Sequence, residues 1–267
     1  MTSKTAAPCP PAADDAALRR QRQHKLNALI TMAAGLAHDF NNHLTAILGN
    51  NSIVLRHLSA QASSRKNAAQ IEASALQALE LANQLQLFTG RVRPNLAVLD
   101  LSAALREMQG ELRALMAREV ALEFRLADAL PPVKADVQQL RRVVMNLLMN
   151  ANDAMADRRG TVAVSTGVME CDAEGLEVCD GADRLAPGRY VFVEVADEGA
   201  GMSAETRERI FDPFFSTKIR GKGMGLPVAL GIMRAHGGAL RVDSQPERGC
   251  AVRALLPALP AAPTGKV

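Results

Sequence analysis

Several residue types that mark common protein classes are scarce in this sequence. Aromatic residues make up 3% of its 267 positions, with no tryptophan and one tyrosine, so aromatic stacking platforms for single-stranded nucleic acid are not expected. The interior must be filled by Leu, Ala, Val, Ile and Met, which favours helical packing. The four cysteines lack CxxC or metal-ligand spacing, and we expect free thiols in a reducing cytoplasm.

Long apolar runs and a strong charge of one sign are also missing. No stretch approaches the roughly 18 uninterrupted apolar residues of a membrane-spanning helix, and no charged-then-apolar leader opens the chain. We therefore expect a cytoplasmic protein without membrane insertion. The formal net charge of +3, with Lys and Arg interleaved among acids, is too mild to indicate a nucleic-acid partner.

The first unit predicted from the sequence is a helical hairpin over residues 19–92. Residues 1–18 are rich in Ala and Pro and predict a disordered tail. A helix from about Arg19 to Leu58 carries one apolar stripe on a seven-residue repeat, formed by Leu26, Ala33, Phe40, Ile47 and Val54. A turn at 61–67 leads to a second helix that ends near Phe88. One hairpin cannot cover its own apolar stripe, so we expect a homodimer that forms a four-helix bundle.

The second unit predicted from the sequence, residues 96–257, mixes helices with strands and predicts an α+β domain. Gly90 and Pro94 end the helical pattern and mark the boundary. Helices are predicted at 101–118, 136–155 and 227–236, and strands at 121–126, 160–166, 190–197, 239–244 and 250–257. The polar stretch 167–188 predicts an unusually long hairpin loop, and residues 258–267 predict a tail.

The first candidate site is the run HDFNN on the long helix. His38 and Asn42 are one helical turn apart, on a face turned away from the apolar stripe. A neutral histidine nitrogen can attack phosphorus when the proton on its other nitrogen is held or removed, and Asp39 is a natural acceptor. A lone surface histidine is usually only a solvated side chain. The motifs that follow favour a chemical role for His38 instead.

A polar stripe on the predicted helix 136–155 forms the second candidate site. Asn146, Asn150 and Asp153 are spaced i, i+4 and i+7, while the other faces are apolar. Carbonyl oxygens at this spacing can share Mg²⁺ with nucleotide phosphates, because Mg²⁺ prefers hard oxygen ligands. Taken alone, the stripe is weak evidence, since Asn pairs on a helix usually form only its solvent-exposed face.

The third site follows an apolar strand. A carboxylate at Asp197 can accept a hydrogen bond from the exocyclic amino group of adenine, where guanine presents a carbonyl oxygen, and would select ATP over GTP. Gly199 and Gly201 allow the backbone to turn and approach a base closely, and Met202 could close over the ring. A simple turn after a strand is the alternative.

The fourth site joins an aromatic run, which ends at Lys218, to a glycine-rich stretch before a helix. That stretch comprises Gly221, Gly223, Met224, Gly225 and Leu226. Backbone N–H groups at a helix N-terminus suit a triphosphate, and the loop between the two runs predicts a lid. GxxxxGK[ST] is absent and the strand needed for a dinucleotide site is misplaced, so neither a P-loop nor a Rossmann site is supported.

In this order the four segments resemble the H, N, G1, F and G2 boxes of the two-component sensor histidine kinases. GLAHDFNNHLTAILGN looks like the H box of the nitrogen-regulation-like and hybrid-kinase subgroup, and the resemblance spans about residues 25–257. It implies an ATP-binding domain of the GHKL type after the hairpin. Two positions depart from the pattern: His43 replaces a more usual Leu, and Pro227 follows the last glycine pair, where the first turn of a helix tolerates it.

The resemblance also implies a role for each site residue. His38 is the implied phosphoacceptor with Asp39 as its acid–base neighbour, and Asn42 assists dephosphorylation. Asn150 binds Mg²⁺ with Asn146 near the phosphates, and Asp197 recognises adenine. Asp153 either contacts the nucleotide or only orients its helix. The glycines that shape the pocket and lid are Gly199, Gly201, Gly221, Gly223 and Gly225.

The function that follows is ATP-dependent phosphorylation of His38 and transfer to an aspartate of a separate response-regulator receiver domain. The ATP-binding domain would swing on residues 90–96 to present the γ-phosphate. One alternative is a scaffold of the same fold that no longer binds ATP. Another is the related ATPase group of chaperones and mismatch-repair proteins, which lacks a histidine-bearing hairpin.

Overall fold

The structure is a computed structural model that describes residues 12–59, 62–155, 158–183, 185–218 and 223–260, without the side chains of residues 12–29, 31 and 32. In these ranges no helix combines the length and apolarity needed to cross a membrane.

Two long helices form the predicted hairpin: α1 (Ala12–His57) and α2 (Ser64–Phe88). Helix α1 begins earlier than expected, so residues 12–18 are helical and the predicted tail is wrong there; residues 1–11 lie outside the described ranges. The physical reason is the alanine-rich stretch 12–17, since alanine has the highest helix propensity. Helix α2 likewise begins inside the turn predicted at 61–67.

The two helices pack through small side chains. The buried residues of the seam are Ala33, Ala37, Ala68, Ala75 and Ala82, together with Asn51. Asn51 Nδ2 donates to the carbonyl oxygen of Ala68 over 2.9 Å, which satisfies this buried amide nitrogen. Alanine at the other five positions lets the helices approach closely along the hairpin.

Of the apolar stripe of α1, Ala33 lies in that seam but the three large side chains that follow it do not. Phe40, Ile47 and Val54 remain 55%, 46% and 49% exposed. Three large apolar side chains at seven-residue spacing, each about half exposed, form a continuous face that no other part of the described chain covers.

The α+β unit contains five helices and seven strands in the described ranges. The helices are α3 (Leu101–Ala114), α4 (Val137–Met155), α5 (Ala173–Glu177), α6 (Ala204–Arg209) and α7 (Gly225–Ala235). The strands are β1 (Ala97–Leu99), β2 (Val120–Arg125), β3 (Val133–Ala135), β4 (Gly160–Cys171), β5 (Gly188–Asp197), β6 (Ala239–Ser244) and β7 (Cys250–Pro257).

These elements form a two-layer sandwich. The main sheet has the order β2-β4-β5-β7-β6, and β1 pairs with β3 in a small second sheet. Strand β2 runs parallel to β4, while the other neighbours in the main sheet are antiparallel. Alternate residues of β5 (Val191, Val193 and Val195) enter the core with α3, α4 and α7. The helical hairpin followed by an α+β sandwich confirms the predicted fold class.

The segment predicted as a long loop at 167–188 has structure of its own. Strand β4 continues to Cys171, α5 follows, and the chain returns at β5. The segment packs on one end of the outer sheet face, which is the face turned away from the main core. There it forms a small apolar cluster with neighbouring strands, made of Cys171, Leu176, Cys179, Tyr190, Ala239 and Leu255. We call residues 172–187 the insert. Cys171, Cys179 and Cys250 are free thiols.

Strands β1 and β3 and helices α5 and α6 were not predicted, and the C-terminal tail begins later than predicted. The backbone N–H groups of Ala258 and Leu259 donate to the carbonyl oxygens of Arg189 and Pro132, each over 2.9 Å. Both residues therefore belong to the α+β unit.

The end of the hairpin merges with the sandwich. Leu87 and Phe88 lie in the same hydrophobic core as α3, α4 and α7, and Phe88 is 1% exposed. Gly231 of α7 faces the carbonyl groups of these two residues so closely that a β-carbon there would collide with both. Arg142 of α4 also forms an ion pair with Glu80 of α2. The hairpin and the α+β unit are therefore joined by one packed interface, formed by residues from both sides of the boundary predicted at Gly90 and Pro94.

Candidate nucleotide and phosphoacceptor sites

The His38 side chain is exposed on α1, in a part of the hairpin where the neighbouring side chains are polar. Asn42 Nδ2 is 3.3 Å from His38 Nε2, and the direction of this hydrogen bond depends on the histidine tautomer. With the proton on Nδ1, Asn42 donates to Nε2 and fixes the ring. Successive helical residues point about 100° apart, so Asp39 is beside His38 without sharing its face, and it is also exposed.

Helix α4 supplies the second group of side chains. Its apolar side, which includes Val143, Val144, Leu147 and Leu148, is buried in the core, and this fixes which way the opposite side points. Asn146 and Asn150 are half-buried and Asp153 is exposed at the next turn. The predicted polar stripe is therefore accessible along one edge of the sandwich.

Three separate elements meet at Asn150. Lys218 Nζ donates to the Asn150 carbonyl oxygen over 3.3 Å and pairs with Asp153 Oδ2 over 3.1 Å. Gly225, the first residue of α7, lies against the Asn150 side chain: a β-carbon on it would be 3.5 Å from Nδ2 and 3.9 Å from the β-carbon of Asn146. The structure thus brings these five predicted residues together.

The Asn150 side chain tests whether a nucleotide–metal complex fits here. Its Nδ2 is buried and has no hydrogen-bond partner in the described part of the chain, and a buried amide without a partner is costly. A phosphate oxygen would accept from Nδ2, or the amide rotated by 180° would present Oδ1 to Mg²⁺. The N-terminus of α7 supplies N–H groups beside it. These residues fit a magnesium-bound phosphate group.

Asp197 ends β5 and is partly buried. Its Oδ1 accepts from the Gly199 N–H over 2.9 Å. Burial raises the pKa of Asp197 above the ordinary aspartate value, and this effect outweighs the backbone hydrogen bonds from Gly199 and Cys250 and the positive charge of Lys218, which lower it.

Glycine is required at two positions beside Asp197. Gly201 has φ of +63°, and a β-carbon there would collide with the Gln245 carbonyl oxygen. Gly249 has φ of +75°, and a β-carbon would collide with the Asp197 carbonyl oxygen. Gly249 was missed from the sequence because it belongs to no motif; only the long-range pairing of β5 with β7 makes it necessary.

The aromatic run connects α6 to Lys218. Phe211 is buried, whereas Phe214 is 67% exposed and has φ of +65°. The Phe214 N–H donates to the Gly223 carbonyl oxygen over 3.0 Å, which joins the two ends of the predicted lid. Met202 and Leu226 are partly buried against the core and Met224 is buried. Gly221 lies outside the described residues.

A cavity of about 580 Å³ opens beside Asp197 at the ends of β5, β6 and β7. Its lining residues are Ala196, Asp197, Val242, Asp243, Ser244, Gln245, Arg248, Gly249, Cys250 and Ala251. Asp197 is the one predicted site residue in this lining, so the cavity meets the predicted nucleotide site at Asp197 and not at the Asn150 cluster.

Comparison with known proteins identifies the class of this domain. Residues 135–260 match the family described as histidine kinase-, DNA gyrase B-, and HSP90-like ATPase. The crystal structure of full-length ShkA in complex with AMPPNP is similar with a TM-score of 0.63 at 25% identity, covering 87% of this chain and 47% of that chain. Fold and site therefore define a GHKL-type ATPase domain preceded by a helical hairpin.

The sequence similarity to curated relatives extends beyond the ATPase domain. Sensor kinase CckA of Brucella abortus (strain 2308) is 35% identical over 240 residues, which are 89% of this chain and 25% of CckA. Sensor histidine kinase ZraS of Escherichia coli (strain K12) is 30% identical over 242 residues, 89% of this chain and 47% of ZraS. The similarity to sensor histidine kinases therefore extends over 89% of this chain and includes the helical hairpin. The chain spans between a quarter and about half the length of these two relatives.

Proposed function

We propose that this chain is the catalytic core of a sensor histidine kinase, which uses ATP to phosphorylate His38 and passes the phosphoryl group to an aspartate of a receiver domain. One observation carries the proposal. An exposed histidine, paired with Asn42 on a helical hairpin, is followed in the same chain by an ATPase domain in which Asn150, Lys218 and the start of α7 converge.

The proposed nucleotide orientation follows from the chemistry of the two ends of the site. Asp197 would accept from the amino group of adenine, with Gly199 and Gly201 keeping the backbone clear of the base. The phosphates would lie at the N-terminus of α7, near Gly223 and Gly225, where N–H groups and Lys218 offset their charge. The side chain of Asn150 would hold Mg²⁺, which neutralises charge on the phosphate oxygens when bound, and Asn146 would lie near the phosphates.

The proposed reaction is an in-line displacement at the γ-phosphorus. His38 Nε2 forms the new P–N bond, the bond between γ-phosphorus and the bridging oxygen breaks, and ADP leaves. The hydrogen bond from Asn42 to Nε2 would have to break first, since the Nε2 lone pair forms the new bond. The proton on Nδ1 would be held or accepted by Asp39 after a side-chain rotation. Because such transfers depend mainly on positioning, the domain must bring the γ-phosphate to His38, and residues 90–96 are the segment on which it would move.

The partners follow from the same proposal. The exposed stripe of Phe40, Ile47 and Val54 would be covered by a second copy, giving the four-helix bundle of a homodimer. The receiver domain would approach the exposed His38, and Asn42 would orient water when the same surface dephosphorylates that domain. Reduced free thiols are compatible with a cytoplasmic location.

The direct test is incubation of the purified protein with γ-labelled ATP and Mg²⁺, alongside His38→Gln. We expect label that is lost in acid and survives alkali, and that the variant fails to acquire while it still binds ATP. Retained labelling in His38→Gln would place the acceptor elsewhere. A wild-type chain that binds no ATP would favour the scaffold alternative.

A further inference from the structure

The insert is attached to the free edge of the main sheet at Asp180. The Asp180 N–H donates to the Leu240 carbonyl oxygen over 2.7 Å, and the Leu240 N–H donates back over 3.0 Å. Strand β6 is the outer strand of the sheet, so the insert adds a single bridge to its unpaired side. Because both backbone groups are bonded, the position of the Asp180 side chain is fixed by the sheet.

Arg207 of α6 reaches that carboxylate. Its Nη2 is 2.7 Å from Asp180 Oδ2, and the two side chains are only 28% and 32% exposed. Burial raises the pKa of Asp180, and the nearby charge and hydrogen bond of Arg207 oppose this effect. Arg207 Nε also lies 3.5 Å from the Val242 carbonyl oxygen of β6. One guanidinium thus holds α6 to both the insert and the sheet edge.

Helix α6 leads directly into the aromatic run. The Arg207 guanidinium lies 5.6 Å from the centre of the Phe211 ring, and Ile210 and Phe211 are buried in the main core. The same segment continues to Lys218, whose amine contacts Asn150 and Asp153. Side-chain contacts therefore join the insert to α6 and Phe211, and the chain from Phe211 leads within seven residues to Lys218.

We propose that Asp180 and Arg207 are positioning residues for nucleotide binding: through α6 they hold the segment that places Lys218 beside Asn150. This gives the insert a role in ATP affinity, although none of its residues that the structure describes contacts the site. The inference rests on the proposed function, since it concerns the same nucleotide site. Ion pairs between exposed, flexible side chains contribute little, but here the acid is fixed by two backbone bonds and both partners are half-buried.

The test compares the ATP affinity of Asp180→Asn, Arg207→Gln and the double variant. Affinity is measured by titration calorimetry in the presence of Mg²⁺, at a temperature well below that of unfolding. We expect each single variant to weaken ATP binding about three- to tenfold, as for coupling through packed contacts. The double variant should lose no more than either single one, because both changes break the same pair. Arg207→Lys, which keeps the charge, should recover part of the affinity.

Two further comparisons separate positioning from general stability. Glu170→Gln breaks the ion pair with Arg189, at the strands that flank the insert, and should leave ATP affinity unchanged. In a Lys218→Met background, Asp180→Asn should have no further effect on affinity. A lowered melting temperature with unchanged affinity in Asp180→Asn and Arg207→Gln would overturn the proposal. Absent ATP binding in the wild type would instead reject the proposed function itself.

Discussion

At the scale of single residues, Asp197 combines a cost to folding with a proposed role in binding. Burial raises its pKa, so the folded chain holds a proton on this carboxyl more tightly than the unfolded chain does. The resulting stability is fully present below the ordinary aspartate pKa and is lost as pH rises through the raised value. At neutral pH the ionised group therefore opposes folding, yet the ionised form is the better acceptor for an adenine amino group.

The substitution Asp197→Asn separates these two effects. It should preserve or raise the melting temperature at pH 7, since an amide can still accept from Gly199 without a buried charge. ATP affinity should fall about tenfold or more, the usual loss for a hydrogen bond to a charged group. Differential scanning calorimetry and ATP titration measure the two quantities on the same sample.

The pH dependence of Asp197 gives the same prediction a second measurement. Wild-type ATP affinity should decline as pH falls through the raised pKa, while Asp197→Asn lacks this component. Glu198→Gln is a matched control, because Glu198 is the exposed next residue and accepts from the Thr161 N–H over 3.0 Å. Equal losses of affinity in the two variants would reject adenine recognition by Asp197.

At the scale of elements, the exposed stripe of α1 predicts how the hairpin assembles. Ile47→Glu places a charge in the middle of a face that would be buried between two copies, and burying an unpaired charge is strongly unfavourable. We expect the variant to be monomeric by analytical ultracentrifugation where the wild type is dimeric. Ser52→Glu is the control, since Ser52 is also exposed and lies about 140° around the helix from Ile47. A dimeric Ile47→Glu would mean that the copies associate through another surface.

How well the sequence predicted each element depended on how many residues carried its pattern. Strands β6 and β7 were predicted with their observed bounds, because turns and alternating apolar residues delimit them. Strands β1 and β3 contain three residues each, too few for a periodicity, and they exist because they pair with one another. Helix α5 was missed because it is short, and it is stabilised by the cluster on the outer sheet face.

The same distinction between local patterns and long-range contacts applies to the candidate site. Asn146, Asn150, Asp153 and Gly225 could be predicted because each lies within a local motif, and the structure brings them together. Contacts between distant segments could not be predicted in this way. The pair of Asp180 and Arg207 is separated by 27 positions in the sequence, and neither residue belongs to a motif. Its existence depends on how the insert folds back against β6.

At the scale of the whole molecule, the shared interface constrains the proposed movement of the ATPase domain. The movement needs the domain to separate from the hairpin beyond residue 89, yet Leu87 and Phe88 are buried among residues of that domain. Separation would expose this apolar surface to water, at roughly 25 cal/mol per Å². The arrangement seen here is therefore one that the hairpin end stabilises, and the reaction rate should respond to the strength of this contact.

Gly231→Ala tests that relation, because its β-carbon would collide with the carbonyl groups of Leu87 and Phe88. Helical Gly→Ala changes normally stabilise by about 0.5–1 kcal/mol, and Gly110→Ala in α3, with open space around it, should do so. We expect Gly231→Ala instead to loosen the interface, giving faster proteolysis at residues 89–96 and faster labelling of His38, with unchanged ATP affinity because Gly225 and Asn150 are not displaced. Slower labelling, with the same increase in proteolysis, would mean that the docked arrangement is itself the one that phosphorylates His38.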